Sequence, residues 1–196
     1  ADGSSSDWIE LFNPTGEPVH LDGWFLTDDA GNLMKWRVPD VIIGAGSYLL
    51  VFASDKDRAD PAAELHTNFN LSANGEYLAL VKPDGQSVTS EFAPAFPQQT
   101  TGISYGLAAG SGTGFRYFDT PSPWLPNPPT GFLGFVGDTE FDLDRGFFEN
   151  PISVQVTCVT PGATIRYTLD MSEPTLVNGT TVTPGVPVSI TTTTCL

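Results

Sequence analysis

Turn residues break this chain so often that only short extended segments fit between them. Twenty Gly and 17 Pro stand among 196 residues, about a fifth of the chain against a usual share of ~12%. The runs between these breaks recur about every 8–12 residues, the spacing of a β-sandwich or barrel. Only 16% of residues are charged, too few for long solvated helices rich in Glu and Lys. Strand and helix patterns never alternate, which excludes a parallel α/β sheet. The expected class is therefore all-β.

The first run, DWIELF, alternates: Trp8, Glu10 and Phe12 on one face, Ile9 and Leu11 on the other. NPTGEP ends it, and VHLDGWFLTDD follows as a strand bent at Asp22-Gly23. In MKWRV, Met34, Trp36 and Val38 alternate against Lys35 and Arg37. GAGSYLLVFAS is the most apolar run of the first half and predicts a central strand buried on both faces. DKDRADPAAELHTNF predicts a polar loop with one helical turn around 61–65. EYLALVKPDGQSV predicts a hairpin closed by Pro83-Asp84-Gly85. After ISYGLA and a glycine-rich return, the proline-laden TPSPWLPNPPTG is an extended linker or a docked strap. Beyond it, β-branched alternation resumes, with Ile152, Val154 and Val156 on one face and Ile165, Tyr167 and Leu169 on another. The expected layout is a sandwich over 1–118, a linker over 119–137 and a second, small β module over 138–196.

Eight Lys and Arg face 23 Asp and Glu, a net charge of −15. That field repels phosphate backbones and anionic headgroups, so nucleic acid is excluded as a partner. No apolar run approaches the ~18 residues of a membrane span, so no direct membrane insertion is expected. Cys158 and Cys195 lie in Thr-rich extended sequence with no second Cys or His beside either, which argues against a metal site. They are expected to form a disulfide, which suits an exported protein and closes a loop worth roughly 3–4 kcal/mol in the chain-entropy account. The abrupt opening at ADGSSSDW is read as a trimmed or mature fragment whose leader has gone.

Few residues offer chemistry. His20 falls in a strand beside Asp22 and His66 in a polar loop. There is no G-x-S-x-G elbow, H-E-x-x-H or P-loop, so no catalytic residues are assigned. Glu10, sharing a strand face with Trp8 and Phe12, is the acid that would matter to a glycosidase-type pair; an outward face or edge strand explains it as well. No cofactor is expected, although a hard cation such as Ca²⁺ has weak candidate ligands. These are Asp28, Asp29 and Asn32 in DDAGN, Asp55, Asp57 and Asp60 in DKDRAD, and Asp142 and Asp144 in DLD. Turn-forming Asx residues account for the same pattern. Trp124, in the proline segment, is the aromatic freest to stack on a sugar ring, or else it plugs the joint between modules.

The segments DWIELFNPT, LDGW, PDVIIGAGSYLLVFAS, NFNLSANGEYLALVKPDG and YFDTPSPWLPN resemble, in order, the bacterial lamin-tail domain over about residues 1–127. The resemblance implies an immunoglobulin-like β-sandwich. Family members usually carry one further strand before SSDW, so the first edge is expected to differ. FDLDRGFFENPISVQVTCVTPGATIRYTLDMSEPT is similar to the small β-sandwich appended to chitobiase and other hexosaminidases, over about 138–196. That family usually has Gly where Met171 stands, so the turn there should differ; it also continues past the Thr-rich end, so this module is expected to be incomplete. The pairing resembles exported bacterial proteins that continue into a CotH-type kinase-like domain. What the two resemblances imply is a non-catalytic scaffold or adhesion module, secreted or in the cell envelope (extracellular or periplasmic). Its expected partners are a protein or a cell-surface polysaccharide and the other domains of the same parent protein. The alternative is a carbohydrate-binding accessory module centred on Trp124.

Overall fold

The computed structural model describes residues 6–110 and 114–192. The chain divides into two compact units, Ala1–Leu133 and Gly134–Leu196. No helix occurs among the described residues; the region around 61–65 forms a turn, with the Ala63 N–H donating to the Asp60 carbonyl.

Among its described residues the first unit holds eleven strands: β1 (Asp7–Phe12), β2 (Val19–His20), β3 (Phe25–Thr27), β4 (Trp36–Arg37), β5 (Ile42–Ile43), β6 (Tyr48–Ala53), β7 (Leu65–His66), β8 (Leu78–Val81), β9 (Val88–Phe92), β10 (Ser104–Leu107) and β11 (Phe115–Phe118). One sheet runs β1-β6-β7 and a second β4-β3-β8-β9, while β2 pairs with β5 and β10 with β11. Alternation along the strands points Ile9, Val51, Ala53 and Leu65 into the core, where Leu26, Trp36 and Val38 join them. Trp36 is 2% exposed. Burying a side chain of this size removes it from water at a gain of roughly 2–3 kcal/mol, and the alternation of MKWRV foretells it for Trp36 and Val38, though Met34 stays exposed. Trp24 packs against the same core only partly buried.

Two corrections to the expected pattern concern the first sheet. β6 is central, paired antiparallel with β1 and parallel with β7, but only one of its faces is buried. Tyr48, Leu50 and Phe52 on the other face are only half-buried, because no second layer covers them fully. His66 is in a strand rather than a polar loop. It is buried, its ring stacks on Phe52 with centroids 5.1 Å apart, and its Nδ1 lies 2.8 Å from Ser54 Oγ.

Asn13 fastens the turn that follows β1. It is 3% exposed; its amide donates to the carbonyls of Glu17, Ile43 and Gly44 at 2.8, 3.1 and 3.0 Å. Its Oδ1 accepts from the backbone N–H and hydroxyl of Thr15. The hairpin β8–β9 forms as the sequence predicts, with Asp84 accepting from the N–H groups of Gln86 and Ser87 and from the Ser87 hydroxyl.

The proline-rich segment is docked on this unit. Asn127 Nδ2 donates to the Leu107 carbonyl, the Ala109 N–H to that of Pro128, and Phe132 bridges to Tyr117 through both backbone bonds.

The second unit holds β12 (Thr139–Phe141), β13 (Ile152–Val154), β14 (Val156–Cys158), β15 (Arg166–Tyr167), β16 (Thr180–Thr181) and β17 (Val188–Ile190), paired β12-β14, β13-β17 and β15-β16. Its core is small: Val154, Val156, Val182 and Val188, flanked by Ile152, Ile165, Tyr167 and Ile190. Leu169, expected on the Ile165 face, is exposed. Met171 takes φ +65°, the left-handed conformation that Gly adopts without strain.

Candidate functional site

The half-buried face of the β1–β6–β7 sheet carries Trp8, Phe12, Tyr48 and Phe52. Register places Trp8 opposite Phe52, Glu10 opposite Leu50 and Phe12 opposite Tyr48. The last pair stacks, with ring centroids 4.7 Å apart and planes at 26°; Phe12 remains about half exposed.

Trp124 closes over this face from the strap. Its backbone N–H donates to Glu10 Oε1 at 2.6 Å, a bond between residues 114 apart in sequence. Trp124 sits at φ +63°, an uncommon conformation for a bulky residue, and is 58% exposed. Between it and the sheet lies an open hollow of about 600 Å³, lined by Tyr48, Leu50, Phe52 and Trp124, with Pro61 and Glu64 from the turn before β7. Burial lifts the Glu10 carboxyl above its usual range, and the Trp124 N–H offsets part of that rise. Burial, with the Glu10 charge second, raises the Tyr48 hydroxyl.

The structure thus brings together two residues that sequence reasoning had singled out for unrelated reasons. Glu10 is neither free nor paired with a second acid: its carboxylate holds the strap. Sequence reasoning missed Tyr48, Leu50 and Phe52, because an uninterrupted apolar run gives no sign of which face is uncovered.

Several of the candidate cation ligands have other partners. Asp28 pairs with Lys35 at 2.6 Å, and Lys35 also lies over the Phe69 ring. Asp29 accepts the Gly31 N–H and Asp60 that of Ala62, the Asx turns their spacing suggests. The Asn32 carbonyl accepts the Thr27 hydroxyl. Asp55 and Asp57 take φ +57° and +49°. In the second unit Asp142 accepts the Gln155 N–H, and Asp144 lines an open hollow of about 1050 Å³ with Phe141, Phe147 and Phe148. Among the described residues no three His, Cys, Asp or Glu side chains converge as a metal cluster.

His20 is exposed on β2. Cys158 carries a free thiol that donates to the Gly137 carbonyl. Its expected disulfide partner, Cys195, lies outside the described residues. No helix among them is long and apolar enough to cross a membrane.

Residues 1–92 match the family model of the lamin tail domain, and residues 143–196 that of the chitobiase/beta-hexosaminidase C-terminal domain. The chain pairs a lamin tail domain with a chitobiase/beta-hexosaminidase C-terminal domain. Both are accessory immunoglobulin-like modules, which agrees with an all-β chain of two β modules. No significant match was found among curated proteins or solved structures. Glu10, Tyr48 and Phe52 lie within the lamin tail match, whereas β10, β11 and the strap with Trp124 lie beyond it.

Proposed function

We propose that this chain is a non-catalytic interaction module of a larger exported protein, and that the aromatic face of its lamin tail domain makes the contact. The observation that carries this reading is the Glu10–Trp124 bond. It commits an acid set among aromatics to holding the strap, while Trp124 and Phe12 stand at the surface rather than in a core. Exposed aromatics around a hollow mark contact surfaces, since water gives up such groups readily. The net charge of −15 supports a partner other than nucleic acid. Other domains of the same parent protein, a CotH-type domain among them, would supply any chemistry, and the setting would be the cell envelope or the extracellular space.

The test is depletion: purified chain is mixed with native bacterial envelope and with insoluble polysaccharides, and the unbound fraction is measured. Saturable retention on at least one of these supports the reading. Complete recovery of the chain in the unbound fraction from all of them refutes it.

A further inference from the structure

The hollow under Trp124 has a chemistry that selects among contact partners. Its floor is apolar and aromatic, from Leu50, Phe52 and Pro61. Trp124 lines it and is exposed; Phe12, stacked on the lining Tyr48 ring, is a second exposed ring beside it. The polar side chains that line it are the Tyr48 hydroxyl and Glu64, which has its own partner; at its edge, opposite the lining Leu50 in register, stands the Glu10 carboxylate, one oxygen of which accepts the Trp124 N–H. Among the described residues that line it there is no Lys or Arg. A carboxylate offers several acceptor positions and, when ionised, no donor.

This acceptor-rich, cation-free set discriminates. Phosphates, sulfated chains and other anions meet repulsion from the Glu10 carboxylate. A proline-rich peptide could lie on the aromatic rim, but it brings carbonyl acceptors and few N–H donors, so Glu10 would be left desolvated and unsatisfied. A neutral sugar brings apolar ring faces for the aromatics and hydroxyl donors for the carboxylate. The volume of about 600 Å³ falls in the range of small-ligand sites, roughly 300–1,000 Å³. Trp124 itself is held at φ +63°, an uncommon conformation that persists where the surroundings impose it; the Glu10 bond is one such constraint.

We propose that this hollow is a binding subsite for a neutral polysaccharide, with sugar rings stacked on Trp124 and Phe12 and hydroxyl groups donating to Glu10. The assignment rests on the interaction-module reading and narrows it to one ligand class and one place. It uses a strap outside the lamin tail match and nothing from the chitobiase/beta-hexosaminidase C-terminal domain.

The test uses the whole chain. Binding is measured to chitin and cellulose as neutral probes, polygalacturonate as an anionic one, a polyproline peptide, and native envelope. Trp124→Ala removes an exposed ring, and Phe147→Ala removes a fully exposed ring of the second unit as the control; circular dichroism confirms that both fold. Expected is retention on a neutral polysaccharide, weakened at least tenfold by Trp124→Ala and unchanged by Phe147→Ala. Sensitivity to Phe147→Ala with none to Trp124→Ala overturns the site but leaves the interaction reading standing. So does binding to envelope or polyproline with no binding to either neutral polysaccharide. Failure to bind any of the probes overturns both.

Discussion

Replacing Asn13 by aspartate changes one NH₂ to one oxygen and leaves the shape of the side chain intact, so its effect isolates hydrogen-bond polarity. In the wild type the amide hydrogens serve three carbonyls, of Glu17, Ile43 and Gly44, at a site 3% exposed. When protonated, the introduced carboxyl could still donate one hydrogen bond and accept from Thr15, so the neutral acid loses about one donor. Leaving a buried carbonyl unsatisfied costs about 1–3 kcal/mol. The ionised form instead sets a carboxylate against three carbonyl oxygens without water, and it would take up a proton rather than bear that. Protonating an acid of unfolded pKa ~3.9 at pH 7 costs about 4 kcal/mol, which bounds the extra penalty. The folded pKa of the introduced acid is raised, so the stability of Asn13→Asp is greatest below the ordinary carboxylate range and falls as pH rises through that raised value. Urea titration should therefore give a loss of about 1–3 kcal/mol relative to wild type at pH 4 and up to about 4 kcal/mol more at pH 7. Asn13→Ala, which loses donors and acceptor alike, should cost about 2–4 kcal/mol at both pH values. An Asn13→Asp variant whose deficit is the same at pH 4 and pH 7 would show that the amide does not face those carbonyls as described.

Three further outcomes follow from the same geometry. Met171→Gly relieves a left-handed residue (φ +65°) whose Cβ costs ~1–2 kcal/mol, against some loss from a more flexible unfolded chain; the second unit should gain about 0.5–1 kcal/mol in thermal or urea unfolding. Asp84, held at a pKa of about 2 by the Ser87 hydroxyl and by the Ser87 and Gln86 N–H groups, stabilises the hairpin above the ordinary carboxylate range. That contribution is lost as pH falls toward 2, so Asp84→Asn should flatten the acid limb of the unfolding profile. Glu10 is shifted the other way, raised chiefly by burial, so folding favours its protonated form and stability declines as pH climbs through its folded pKa; Glu10→Gln keeps an acceptor for the strap and should remove that decline, read by tryptophan fluorescence against pH.

Local chemistry explains what could be read from the sequence. Val38 and Trp36 alternate in a short run between turns, and only an inward face satisfies that alternation. Asp84 two residues ahead of a backbone N–H forms an Asx turn wherever it occurs, so the hairpin needed no tertiary information. The face of β6 that stays half-covered could not be read, since an apolar strand does not record which side a second layer covers. His66 reads as a loop residue because its neighbours are polar; its burial comes from parallel pairing of β7 with β6, across the polar stretch that separates the two strands. The Glu10–Trp124 contact was invisible in kind. Nothing in the sequence links an acid on β1 to a tryptophan in the proline-rich strap, and only the fold brings them within bonding distance.

That contact also sets an order of events. Glu10 precedes Trp124 by 114 positions in the chain. At about 5–20 residues per second, the β1 strand waits roughly 6–23 s before its strap exists. During that interval the aromatic face of the nascent sheet lacks the strap that Glu10 holds. The contact surface therefore matures only when the last stretch of the first unit arrives, and a chain cut short of the strap would display the sheet without the site.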